Sequence, residues 1–252
     1  MRLRTVCGSL FALVALLFVS QSALADEVAY EGFSQSFPIY ANGGDGFSGP
    51  WTQGGFNAFA SGYTANAGSL SYPSLLASTG GSVSGGAFSA INGALRNLAQ
   101  PLGADNTTVY VSFLLRPDGA LSDGIFNGFF GVTLNGSLFN DLFVGKPGGG
   151  ALDQYVLETR GGSGQVPSGA SAVVGHTALL VLKAQFLTGN DVFTLYTNPK
   201  PGGAEPSSGA VKSDVDLGSV SKIGIYSSGA FSVDEIRIGT TYENVVPKRG
   251  TN

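Results

Sequence analysis

The chain has 252 residues, of which 39 are glycine, 12% are charged and only one each is cysteine, histidine and tryptophan; the formal net charge is −4. The glycines follow no G-X-Y period, which excludes a collagen helix. With 43% hydrophobic and 11% aromatic residues, the composition is that of a chain that buries a core rather than a disordered one. Thirteen scattered Lys and Arg residues do not make a nucleic-acid surface, and a zinc site built from His and Cys has no raw material.

In chain order, residues 1–25 read as a secretory signal peptide. Arg2 and Arg4 form a basic start, Gly8 to Ser20 is apolar, and Ala23-Leu24-Ala25 is an A-x-A cleavage site. The apolar run is short for a membrane span. Arg4 stands where a lipobox would have leucine, so Cys7 is no lipid anchor and leaves with the signal. The exported chain then has no cysteine, and its fold rests on packing rather than disulfides. The expected location is secreted or periplasmic, in or near the cell envelope. No later stretch spans a bilayer, and 246–252 reads as a polar C-terminal tail.

The mature segment, 26–245, reads as one domain. Period-two alternation is its strongest signal. Val109, Val111, Phe113 and Leu115 share one face of a strand that ends at Arg116-Pro117-Asp118-Gly119. Leu180, Leu182, Ala184 and Phe186 lead through Thr188-Gly189-Asn190-Asp191 into a second β-rich run, a hairpin over 178–198. Further strands are expected over 28–33, 125–134, 138–145, 153–159, 222–227 and 231–239. Helix signals are limited to Ser89–Ala99 and one turn at Ser74–Ala77. The stretches 42–50, 79–86, 160–169 and 199–210 read as surface loops. Many short strands between Gly/Pro-rich turns predict an all-β antiparallel sandwich.

Among candidate site residues, Gly44-Asp45-Gly46-Phe47-Ser48-Gly49 matches G-x-G-x-x-G, but no helix pattern follows it, so it reads as a loop rather than a dinucleotide site. Asn42–Gly46 and Asp214-Val215-Asp216 offer oxygen ligands, which makes calcium the one metal to consider, although neither has EF-hand spacing. His176 is the only base of its kind and no G-x-S-x-G is present, so a serine hydrolase is not indicated. No carboxylate array on one strand suggests a glycosidase. Trp51, Phe56, Phe59 and Tyr63 cluster in a Gly/Ala/Ser/Asn-rich stretch and could stack on a sugar or fill the core. Asp45, Trp51 and Tyr63 are the ligand-binding candidates. In Val233-Asp234-Glu235-Ile236-Arg237-Ile238, strict alternation puts Asp234 on the face of Ile236 and Ile238, which makes it a buried carboxylate that caps backbone N–H groups or holds a metal.

Val233-Asp234-Glu235-Ile236-Arg237-Ile238-Gly239 resembles the closing strand of LamG-like, concanavalin A-like jelly rolls of exported bacterial proteins. Such a strand pairs with one near the N-terminus, here Tyr30-Glu31-Gly32-Phe33. The segments 109–117, 142–148 and 179–186 resemble the same group, many of whose members end in a PEP-CTERM sorting tail that this sequence lacks. The resemblance implies a two-sheet antiparallel jelly roll. It supports an exported, non-catalytic module with a structural, adhesion or carbohydrate-binding role, with a glycan or an envelope or matrix protein as partner. The alternative is a polysaccharide-active hydrolase or lyase on the same fold. N-terminal sequencing of the exported product should begin Asp26-Glu27-Val28; a chain still carrying residues 1–25 would contradict the cleavage site.

Overall fold

The computed structural model describes residues 27–34, 42–54, 63–75, 80–86, 91–121, 128–135, 141–159 and 163–248. In chain order the strands are β1 (Glu27–Glu31), β2 (Thr52–Gln53), β3 (Tyr63–Asn66), β4 (Ser82–Gly85), β5 (Asn92–Leu102), β6 (Thr107–Pro117), β7 (Phe130–Asn135) and β8 (Asp141–Lys146). They continue with β9 (Gln154–Thr159), β10 (Ser163–Ser171), β11 (Ala178–Phe186), β12 (Val192–Thr197), β13 (Ala210–Lys212), β14 (Val220–Ser227) and β15 (Phe231–Gly239), before one helical turn, α1 (Tyr242–Val245). They form two antiparallel sheets, an eight-stranded one in the order β13-β12-β11-β6-β15-β4-β3 with β1 also on β15, and a seven-stranded one in the order β10-β9-β8-β7-β14-β5-β2. This is a two-sheet jelly-roll sandwich. Among the described residues no helix is long and apolar enough to cross a membrane.

The alternation read from the sequence is the inward face of each strand. Val111, Phe113, Leu115, Leu180 and Leu182 of the larger sheet join Val132, Leu134, Ile223 and Ile225 of the smaller one in the main core. The larger sheet also buries part of its outer face. Leu114, Leu179 and Val181 lie in a second cluster with Leu70, Leu75, Tyr242, Val245 and Val246. This is why β6 and β11 are almost unbroken apolar runs at their centres: a strand covered on both sides has no need of polar alternation. The 199–210 stretch is mainly loop, and Glu205 ties it to that outer face by accepting bonds from Tyr110 Oη (2.8 Å), Tyr196 Oη (2.6 Å) and Lys183 Nζ (2.9 Å).

Several local expectations change. Residues 92–99 belong to β5, not a helix, because Gly93, Leu95 and Asn97 pair with Tyr226, Gly224 and Lys222 of β14. Tertiary pairing here overrides local propensity. Strand β4 lies within 79–86, and β10 overlaps 160–169; both are Ser/Gly-rich strands without apolar alternation. Ser74 sits in a turn at φ +63°, while Ala77 lies outside the described residues. Val246, assigned to the polar tail, is buried, and Lys248 bridges Leu75.

A buried ion pair ties the two sheets together. Glu31 ends β1 of the larger sheet and Arg96 lies in β5 of the smaller one; they are 3% and 1% exposed. Arg96 Nη1 donates to Glu31 Oε2. The same oxygen accepts from Trp51 Nε1 (3.0 Å), and Glu31 Oε1 accepts from the Phe33 N–H (2.8 Å). Arg96 donates further to Gly49 O (3.0 Å) and Asn42 Oδ1 (3.2 Å), with its guanidinium 4.1 Å from the centre of the Phe47 ring. Burial pushes the Glu31 carboxyl up and the Arg96 guanidinium down, each against the attraction of the other. Such a pair gives little net stability, but removing one member leaves a bare buried charge. Arg96→Met should therefore cost about 3–5 kcal/mol in urea unfolding, and Glu31→Leu/Arg96→Met should recover most of that loss. Equal stability of the single and double variants would refute the pairing.

Candidate ligand-binding cleft

The cleft begins with an irregularity in β15. Against β6, Asp234 is opposite Leu114 and Arg237 is opposite Ser112, so one extra residue is inserted between them. Glu235 takes it up at φ +54°, a bulge that reverses the alternation beyond it. Val233, Ile236 and Ile238 therefore all face the main core. Asp234 is on the opposite, outer face with Leu114, not with the isoleucines as strict alternation predicts. It is nevertheless fully buried. The same point divides the free edge of β15: Phe231–Val233 pair with β4, and Ile236–Gly239 pair with β1.

Asp234 organises the segment above it. Its Oδ2 accepts from the Leu70 N–H (2.8 Å), and its Oδ1 from the Glu235 N–H (2.7 Å). Ser82 Oγ donates to Gly68 O (2.8 Å) and Ser69 Oγ to Gly80 O (2.9 Å). These bonds fix 68–70 as a lip beside the sheet. Burial, and then the neighbouring Glu235, push the Asp234 carboxyl up to about 8, against the two N–H bonds that lower it.

Between the lip and the end of β6 lies an open cleft of about 290 Å³, lined by Asn66, Gly68, Ser69, Leu70, Ser82, Ser84, Arg116, Asp118 and Ser232. The strand register builds its floor. Ser84 is opposite Ser232, which is opposite Arg116, while Ser82 is opposite Asn66. Arg116 and Asp118 are two apart in extended chain, so both side chains reach the same side. Arg116 Nε donates to Asp118 Oδ1 (2.5 Å) and Nη2 to Ser232 Oγ (3.3 Å), while Ser232 Oγ donates to Asp118 Oδ2 (2.5 Å). Asn66 Nδ2 donates to Ser84 Oγ (3.2 Å). The cleft thus offers hydroxyl, amide, guanidinium and carboxylate groups and, among the described residues, no aromatic face, a set suited to a small hydroxylated ligand.

The three ligand-binding candidates lie elsewhere. Trp51 is fully buried and bonded to Glu31, with Phe33 stacked at 6.0 Å. Tyr63 is 3% exposed, donates to Ile225 O (3.1 Å) and meets the edge of Phe231. Their faces are covered by the core, so neither offers a stacking platform. Asp45 is exposed, but its backbone is paired with Tyr30 in both directions (3.0 and 2.9 Å). Phe56 and Phe59 lie outside the described residues. Of the calcium candidates, Asp214 pairs with Lys212 (2.7 Å) and Asp216 caps the Gly218 N–H (2.8 Å); among the described residues no three His, Cys, Asp or Glu side chains gather. The cleft residues themselves escape sequence reading because they are ordinary serines and one asparagine; Arg116-Pro117-Asp118 was visible only as a strand end.

The smaller sheet places two carboxylates on one outer face. Glu158 is opposite Phe143, and Asp141 is two residues before Phe143 on the same side. They are 8% and 7% exposed. Glu158 accepts from Gln165 Nε2 (2.8 Å), and burial pushes its carboxyl up.

No protein-family model and no curated protein matches the chain. Among solved structures it is similar to an endo-1,3-beta-glucanase from Streptomyces sioyaensis, at a TM-score of 0.50 and 6% identity over 85% of this chain and 95% of that one. It is also similar to a GH131 beta-glucanase catalytic domain from Podospora anserina (TM-score 0.45, 13% identity, 79% and 88% covered). A third is the carbohydrate binding module CBM66 from Bacillus subtilis (TM-score 0.38, 9% identity, 71% and 95% covered). At 6% identity the likeness to the first of these shows the fold alone, a two-sheet jelly-roll sandwich.

Two measurements test the role of Asp234. Asp234→Ala should destabilise the fold by about 1–3 kcal/mol, because two buried N–H groups lose their acceptor. The folded carboxyl titrates near 8, above the ~3.9 of an unfolded chain, so the folded state binds the extra proton between those values. Its contribution to stability is greatest below about 4 and is lost as pH rises toward 8. Urea unfolding across that range should show the decline in the wild type and a flatter profile in Asp234→Asn.

Proposed function

We propose that the protein is an exported, non-catalytic jelly-roll module of the LamG-like kind, which binds carbohydrate in the cleft between the 68–70 lip and Arg116. The observation that carries this reading is the lining itself. Four serine residues, Asn66, Arg116 and Asp118 converge on one open volume of about 290 Å³, near the lower end of the ~300–1,000 Å³ of small-ligand pockets. A sugar presents hydroxyls that both donate and accept, and each lining group can answer them. The named activities of the fold neighbours, on beta-glucans and as a carbohydrate binding module, agree with that ligand class. Asp118 is the only carboxylate among the described lining residues, whereas cleavage of a glycosidic bond ordinarily needs two across the bond. That favours binding over hydrolysis at this cleft.

The second reading, a polysaccharide hydrolase, is favoured by Asp141 and Glu158. They share one face of neighbouring strands, and Glu158 is held toward its protonated form by burial, as a general acid requires. Titration calorimetry with neutral and acidic oligosaccharides, run beside a reducing-sugar assay, separates the two. Binding without release of reducing ends, lost in Arg116→Ala and Ser232→Ala, supports the module. Turnover that disappears in Glu158→Gln would replace it with the hydrolase.

A further inference from the structure

We infer that Asp118 sets the ligand selectivity of the cleft, making it a site for neutral rather than acidic saccharides; this rests on the carbohydrate-binding reading above. Arg116 is the only cation among the described lining residues, and a lone arginine in a polar cleft recognises a carboxylate or a sulfate through its planar fork. Here that charge is already matched. Asp118 holds Arg116 Nε at 2.5 Å, and Ser232 links the two by accepting from Nη2 and donating to Asp118 Oδ2. Both Asp118 oxygens and two arginine N–H groups are thereby committed within a closed triangle.

The pair stands at the mouth, 35% and 26% exposed, so it adds little to stability but lies where a ligand meets it. An incoming uronate or sulfate ester finds a carboxylate beside the guanidinium and must displace it. A neutral hydroxyl instead adds to the remaining N–H donors and to lone pairs of Asp118 without disturbing the pair. The chain as a whole carries a net charge of −4, which further disfavours a polyanion. Among the described lining residues there is no aromatic ring, so recognition is chiefly by hydrogen bonds.

The test uses the exported protein and two probes, a neutral β-glucan oligosaccharide and a galacturonate oligosaccharide of equal length, in titration calorimetry. The wild type should bind the neutral sugar in preference. Asp118→Asn should reverse the preference, with galacturonate affinity rising by about tenfold through the freed arginine and falling again as salt is raised. Asp118→Glu should keep the wild-type preference, and Arg116→Gln/Asp118→Asn should abolish the gain. Unchanged melting temperatures confirm that each variant is folded. Wild-type binding of galacturonate as tight as that of the neutral sugar, or an Asp118→Asn variant with unaltered preference, overturns the inference while leaving carbohydrate binding in place. Binding of neither sugar by the wild type overturns both.

Discussion

The contact between Glu31 and Arg96 organises much of what surrounds it. The two residues come from different sheets and meet between them, away from water. A buried arginine has to be both neutralised and hydrogen-bonded, or it is expelled. The chain meets that demand by winding 42–51 around the guanidinium: Asn42 and Gly49 accept from it, Phe47 lies against it, and Trp51 shares its carboxylate partner. The same segment bridges both sheets through Tyr30↔Asp45 and Phe47↔Leu98. It passes so close to β1 that a Cβ on Gly46 would meet Val28 O at 2.0 Å. What looks in isolation like a flexible glycine loop with an exposed tryptophan is therefore the packing around one buried charge.

The bulge at Glu235 has an equally local cause and a wider effect. One residue at positive φ lets β15 hand its edge from β4 to β1 while keeping apolar side chains inward on both sides of the step. It also sends Asp234 to the outer face, where its carboxyl group holds Leu70. The lip of the cleft thus depends on a residue whose side chain does not line it. A β-bulge that re-aims a side chain is a recurrent way of placing a polar group at the border of a sheet.

The division between legible and hidden features follows how many parts of the chain each one needs. The hairpin over 178–198 and the inward faces of β6 and β11 are legible, since alternation and turn chemistry act within a few residues, whereas the β15–β1 partnership is implied by the resemblance of 233–239 to a closing jelly-roll strand. Strands β4 and β10 were hidden, because Ser and Gly take a strand only when neighbours supply the hydrogen bonds. Trp51 and Tyr63 show the limit from the other direction. An aromatic in a Gly/Ser-rich stretch has the same local sequence whether it stacks on a ligand or fills a core, and only the sheet that closes over it decides.

Composition and period by themselves determined that this is an all-β, glycine-punctuated sandwich whose main segment needs no disulfide. Those features depend on turns, alternation and residue counts, which a linear chain displays. The buried ion pair joins residues 65 positions apart, and the bond from Leu70 to Asp234 that holds the lip of the cleft joins residues 164 apart. Their chemistry exists only once two sheets are stacked and water is excluded from between them, because a charge, an amide or a serine has no fixed partner until the tertiary structure supplies one.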